Sequence, residues 1–275
     1  MMKSFSKTQV ILTFQCSHPW PDGLWGLLDL WARYEDIGLA PERYGSAEMR
    51  TFLITAWDKV KMEQTWERAS GGIFKRKRPW NMVGQVLSNW NRYTRQPIRT
   101  LSFFDLWLDQ DFFADEQRVG RFLELCRDIY TWGHMDHGYV ACDTEYEQKN
   151  SITPGGMRGG PNLEYALPGI YWANFFGPTY VHWLGEEKFE SLETFYKERL
   201  ADGGWLLLTR PSVLEYQDPA LRVHEAGIIH YLGRHAFFEL EDPWKPTYRP
   251  DFWGESGSPN GSMPGRTLRL YSRPK

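Results

Sequence analysis

His134 and His137 stand three residues apart, and Asp143, Glu145 and Glu147 follow them. Imidazole nitrogens and carboxylate oxygens are ordinary metal ligands. The set would suit a metal-dependent hydrolase in which a bound ion activates water. The same pair sits where a helix is expected to end, and a cationic imidazole there is favoured by the helix dipole. One His-x-x-His without a second half points to the helix end before the metal. Nucleophilic catalysis finds less support. Cys16, Cys126 and Cys142 are far apart in the chain; Cys126 falls on the apolar stripe of a helix and Cys142 on a strand. There is no Gly-x-Ser-x-Gly to expose a serine on a sharp turn. The glycines of Gly155-Gly156-Met157-Arg158-Gly159-Gly160 lack the Lys-Ser/Thr ending of a phosphate loop.

Charge gives a different signal. The net charge is -3, but residues 1–100 hold 15 Lys and Arg against 9 Asp and Glu, while residues 101–150 hold 4 against 11. Lys75-Arg76-Lys77-Arg78 beside Trp80 is a basic run next to an aromatic. One such run in an acidic chain reads as a solvated turn, and no nucleic-acid partner is expected. The acids of the middle segment, Asp105, Asp109, Asp111, Asp115, Glu116, Asp143, Glu145 and Glu147, flank the ends of expected strands and helices. They read either as solvated surface or as an anionic face that meets a cationic partner protein.

The elements that position these residues follow from periodicity. Strands are expected at Thr8–Phe14, Phe52–Thr55, Thr100–Leu108, Gly138–Thr144, Pro168–Asn174 and Trp205–Thr209. Helices are expected after Asp22-Gly23, over Trp57–Ala69, after Asp115 with Val119, Phe122, Leu123, Cys126, Ile129 and Tyr130 as one stripe, and over Glu186–Leu200. Glu147–Tyr165 and Gly257–Gly265 read as loops, and Leu268–Tyr271 as a last short strand. The class is α+β, with mixed strands and helices. It is either one domain over residues 1–275 or two α/β subdomains, 1–99 and 100–275, sharing a core. No run of apolar residues is long enough for a membrane span. The N-terminus reads as a first strand rather than a leader, and three scattered cysteines suit a reducing cytoplasm.

The stretch Leu167–Gly185, LPGIYWANFFGPTYVHWLG, is dense in aromatics cut by Pro168-Gly169 and Gly177-Pro178. With the Tyr139-x-x-Cys142 and Trp183-x-Gly185 pairs, the segment Leu167–Pro178 resembles the immunity protein 52 family of bacterial polymorphic toxin systems. It is also similar to type VI secretion immunity proteins carrying Asn-Phe-Phe-Gly-Pro. The resemblance covers about residues 100–240 and implies a non-enzymatic, cytoplasmic antidote that binds a cognate secreted toxin, commonly a nuclease, without cofactor or metal. It implies packing roles for Tyr139, Cys142, Trp172, Gly177, Trp183 and Gly185, and leaves the toxin-facing surface to the acids of residues 101–150 and the 147–165 loop.

Overall fold

The computed structural model describes residues 8–20, 23–45, 51–53, 71–88, 90–91, 96–97, 101–150, 166–242 and 247–253. The architecture is mixed α+β, and the chain divides into two compact units, Met1–Gly138 and Tyr139–Lys275. The expected helix at 57–69, the glycine segment at 155–160, the loop at 257–265 and the strand at 268–271 lie outside the described residues.

In the first unit, β1 (Gln9–Cys16) pairs antiparallel with β8 (Ser102–Asp109), from Gln9 opposite Asp109 to Cys16 opposite Ser102. The sheet continues through β5 (Met82–Leu87), β4 (Gly71–Arg76), β2 (Arg43–Gly45) and β3 (Thr51–Leu53), all antiparallel. A short ribbon joins β6 (Trp90–Asn91) to β7 (Gln96–Pro97). Burial alternates along β8, with Phe104, Leu106 and Leu108 inward, as a half-buried strand requires. Helix α1 (Gly23–Ala32) sends Trp31 edge-on between Phe74 and Phe104, with ring centroids 5.6 and 5.5 Å away. Gly84 makes room for that indole, since a Cβ there would lie 2.6 Å from Trp31. Helix α2 (Glu116–Gly133) begins at Asp115, whose side chain accepts from the Arg118 amide at 2.9 Å. Phe122, Leu123, Leu125, Cys126, Ile129 and Tyr130 form its buried face. The basic run does not stay in solvent throughout. Arg76 ends β4 and is buried, donating to both oxygens of Glu35 and to the Ala40 carbonyl.

The second unit has the sheet order β11-β12-β10-β9, from β9 (His137–Cys142, belonging to this unit from Tyr139), β10 (Ala173–Phe176), β11 (Tyr196–Arg199) and β12 (Trp205–Leu208). β12 pairs antiparallel with both β10 and β11. Its helices are α3 (Asp143–Asn150), α4 (Pro178–Leu184), α5 (Glu186–Ser191) and α6 (Pro219–Leu232).

Several expectations are corrected here. The helix expected over Glu186–Leu200 stops at Ser191, and Tyr196–Arg199 is a strand with Tyr196 exposed. Leu192 turns the chain into extended geometry at φ -64, ψ 129, and pairing with β12 then outweighs the helical spacing of Phe189, Leu192 and Tyr196. The strand expected from Pro168 begins at Ala173. The loop expected from Glu147 is helical to Asn150, because Lys149 and Asn150 are tied down by side-chain bonds. Helix α6 was not expected at all, although Asp218-Pro219 at its start and Gly233 at its end are good boundary signals.

Candidate functional site

Four charged side chains close on one another inside the second unit. Arg210, fully buried after β12, donates at 2.6 Å to Glu145 of α3 and at 2.6 Å to Glu225 of α6. Its Nε donates to the Ser212 carbonyl at 3.2 Å. Lys149, one turn after Glu145, donates at 2.7 Å to each of three acceptors: Glu145 Oε1, the Ile170 carbonyl and Glu225 Oε2. An ammonium has three N–H donors, so all of them are used. Two carboxylates and two cations leave no net charge in the cluster. Burial pushes the Glu225 carboxyl above its ordinary range, and Lys149 opposes that shift.

The aromatic segment supplies the frame. Tyr171 is buried beneath Lys149, whose Nζ lies 4.7 Å from the ring centroid. The rings of Tyr139 and Tyr146 stack at 5.6 Å, and Tyr139 lies 4.8 Å from Tyr171. Asn174 clasps the backbone of Tyr171, accepting from its amide at 2.9 Å and donating to its carbonyl at 2.8 Å. Thr209 donates to the same carbonyl. Tyr171 itself donates to the Pro168 carbonyl at 3.0 Å, and Asn150 donates to the Tyr171 hydroxyl. The resulting backbone holds Gly169 at φ +133, where a residue with a Cβ is strained.

Above this cluster opens a groove of about 600 Å³. One wall is the face of α6 that carries Arg222, Glu225, Ala226 and Ile229, spaced as one helical stripe. Pro168, Gly169 and Ile170 form the floor with Phe238, and Gln148 and Lys149 stand opposite. Lys149 therefore touches all three elements that shape the groove.

The residues singled out in the sequence divide between the units. In the first, Asp105 accepts from the Thr13 hydroxyl at 2.8 Å and Asp109 accepts from the Asn81 amide at 3.2 Å. Asp115 caps α2, while Asp111 and Glu116 are exposed. In the second, Asp143 is half-buried, Glu147 is exposed, and Glu145 is 3% exposed. Glu145 is thus no part of an accessible acidic face; Arg210 and Lys149 hold it inside. Tyr139, Cys142 and Trp172 are buried, and Trp172 Nε1 donates to the Arg210 carbonyl at 3.1 Å. Gly177 precedes α4, Trp183 lies against His235 with centroids 5.7 Å apart, and Gly185 at φ +104 separates α4 from α5. Glu225, Arg210 and Lys149 were not singled out. Arg210 lies 65 residues from Glu145, so no local spacing signals the pair.

His134 ends α2 in the left-handed region at φ 46, and its backbone carbonyl accepts from His18 Nε2 at 2.9 Å. His137 is buried in β9, and desolvation pushes its imidazole down to about 3. Among the described residues, no group of three or more His, Cys, Asp and Glu is placed to hold a metal ion. The thiols are buried, and burial pushes Cys16 up to about 12 and raises Cys126 and Cys142. Among the described residues, no helix is long and apolar enough to cross a membrane.

No family model matches the chain, and no curated protein does. Among solved structures it is similar to the Pseudomonas aeruginosa T6SS protein PA0821, with a TM-score of 0.53 and 12% sequence identity, over 82% of this chain and 73% of that one. At that identity the likeness is one of fold.

Proposed function

We propose that the protein is a cytoplasmic immunity protein that neutralises a cognate secreted antibacterial toxin, a nuclease, by binding it and occluding its active site. The observation that carries this reading is the Leu167–Pro178 segment, buried from Leu167 to Gly177. It bears the resemblance to immunity protein 52, and its Pro168, Gly169 and Ile170 line the groove. The fold likeness to a T6SS protein supports the same setting. The chemistry of the charged cluster supports binding over turnover. Both oxygens of Glu225 and all three donors of Lys149 are taken by partners within the chain. Groups so engaged fix a shape, whereas a general acid or base must reach a substrate proton. Occlusion would draw affinity from a few desolvated contacts, and exposed acids such as Asp111 and Glu147 would speed the encounter with a cationic cleft.

The reading expects a toxin gene beside this chain's own, and the test is co-expression with the product of that neighbouring gene. Cells making both should survive, and the two proteins should co-purify with toxin activity lost. Death of the cells at equal expression, or no complex at micromolar concentration, would end this reading.

A further inference from the structure

We infer that the groove of the second unit docks an extended segment of a partner protein with an acidic residue at one end, a basic residue at the other and apolar side chains between. This rests on the reading that the chain acts by binding a protein, and it names the surface and the chemistry.

The size fits a bound segment. A volume of about 600 Å³ lies within the range of ligand-binding clefts. From Arg222 to His230 the α6 wall runs two helical turns, about 12 Å at the usual rise per residue. Four extended residues span about the same distance. Between those ends the surface is apolar: Ile170 and Phe238 below, Ala226 and Ile229 beside.

The charges give the occupant its polarity. Glu145, Glu225 and Lys149 answer one another and offer nothing to a ligand. Arg222 differs. It is exposed, its Nη2 donates to Gln148 Oε1 at 2.7 Å, and it has no carboxylate partner among the described residues. A neutral amide leaves the guanidinium charge unmatched. At the opposite end Arg234 is held by both oxygens of Glu239 at 2.8 Å, and Glu241 adds a second negative charge acting on the same guanidinium. Among the described residues, two carboxylates, Glu239 and Glu241, act on one guanidinium there, and His230 also lines the groove. A segment with a carboxylate at Arg222 and a cation at Glu241 meets both demands and covers the apolar strip.

Two probes test this: the peptides acetyl-Glu-Leu-Leu-Lys-amide and acetyl-Lys-Leu-Leu-Glu-amide, titrated into the full chain labelled at isoleucine methyls. One of them should shift the Ile170 and Ile229 resonances saturably. Arg222→Glu should weaken that binding roughly tenfold or more, with an unchanged thermal midpoint, because a rim charge is reversed at an exposed position. Ala226→Trp, which fills the groove from its exposed edge, should abolish it. No shift with either peptide would overturn the inference. So would equal binding of a Gln-Leu-Leu-Gln control, or the same shifts from acetate alone, which would mark a small-anion site. A toxin complex without peptide shifts would sink the groove and leave the proposed function standing. Peptide shifts without a toxin complex would do the reverse.

Discussion

Lys149 Nζ lies 2.7 Å from Glu225 Oε2, and this contact joins α3 to α6 across 76 residues of chain. The same ammonium binds the Ile170 carbonyl, so one side chain ties both helices to the aromatic segment. Arg210 repeats the connection from beneath. The groove therefore has its shape because a closed, neutral set of charges sets the distance between its walls.

Arg210→Met should destabilise the protein by about 3–5 kcal/mol, since it leaves two buried carboxylates to the single ammonium of Lys149. Glu225→Gln should cost less, because Glu145 still faces both cations. Urea unfolding of each variant checks this. Equal losses would mean that the two carboxylates do not share the cations as their geometry implies.

Acid sensitivity should come from His137. Burial holds its imidazole at about 3, against an ordinary value of 6.5. The unfolded chain gains a proton as pH falls through 6.5 and the folded chain does not. Stability is then full above 6.5 and declines by about 1.4 kcal/mol per pH unit below it. Glu225 acts with the opposite sign: its raised folded value makes its contribution full at low pH and lost as pH rises through that value. Urea midpoints between about pH 7 and pH 5 should fall for the wild type and flatten for His137→Gln. An unchanged slope would assign the acid limb to other groups.

Two glycine substitutions should move stability in opposite directions. Gly169→Ala places a Cβ at φ +133 with only ordinary contacts to Tyr171, so its cost of about 1–3 kcal/mol is conformational. Gly120→Ala lies in the interior of α2 with nothing within 4 Å of the new methyl. It should stabilise by about 0.5–1 kcal/mol. Thermal melts of both variants decide it, and the same sign for the two would contradict the backbone account.

Much of the first unit was legible because its signals are local. The alternation of β8 and the apolar stripe of α2 after Asp115 appear as expected. The second unit was harder. The Tyr196 strand has charged neighbours and a helical echo from Phe189 and Leu192, and only its partner β12 decides the outcome. The site was hidden for a related reason. Glu145 reads as one more surface acid until Arg210, far along the chain, is folded against it. Helix α6 was within reach from Asp218-Pro219, but its buried face is narrow: Glu225, Ile228 and Leu232.

Charge reversals should separate surface from core. Asp111→Lys and Glu147→Lys should stay within about 0.5 kcal/mol of wild-type stability and slow association with the toxin at low salt. Glu145→Lys should lose the fold, since a third cation would face Arg210 and Lys149. Association rates by stopped flow and circular dichroism spectra provide the check. Unchanged association rates for both surface variants would move the contact face elsewhere.

The most direct measurement of the central claim is the activity of the toxin that the proposal expects a neighbouring gene to encode, titrated with this purified protein. The account predicts that nuclease activity falls linearly to zero at one equivalent, with a stable complex of both chains in solution. Undiminished activity at a large excess of this protein would contradict it, as would consumption of the toxin's substrate by this protein alone.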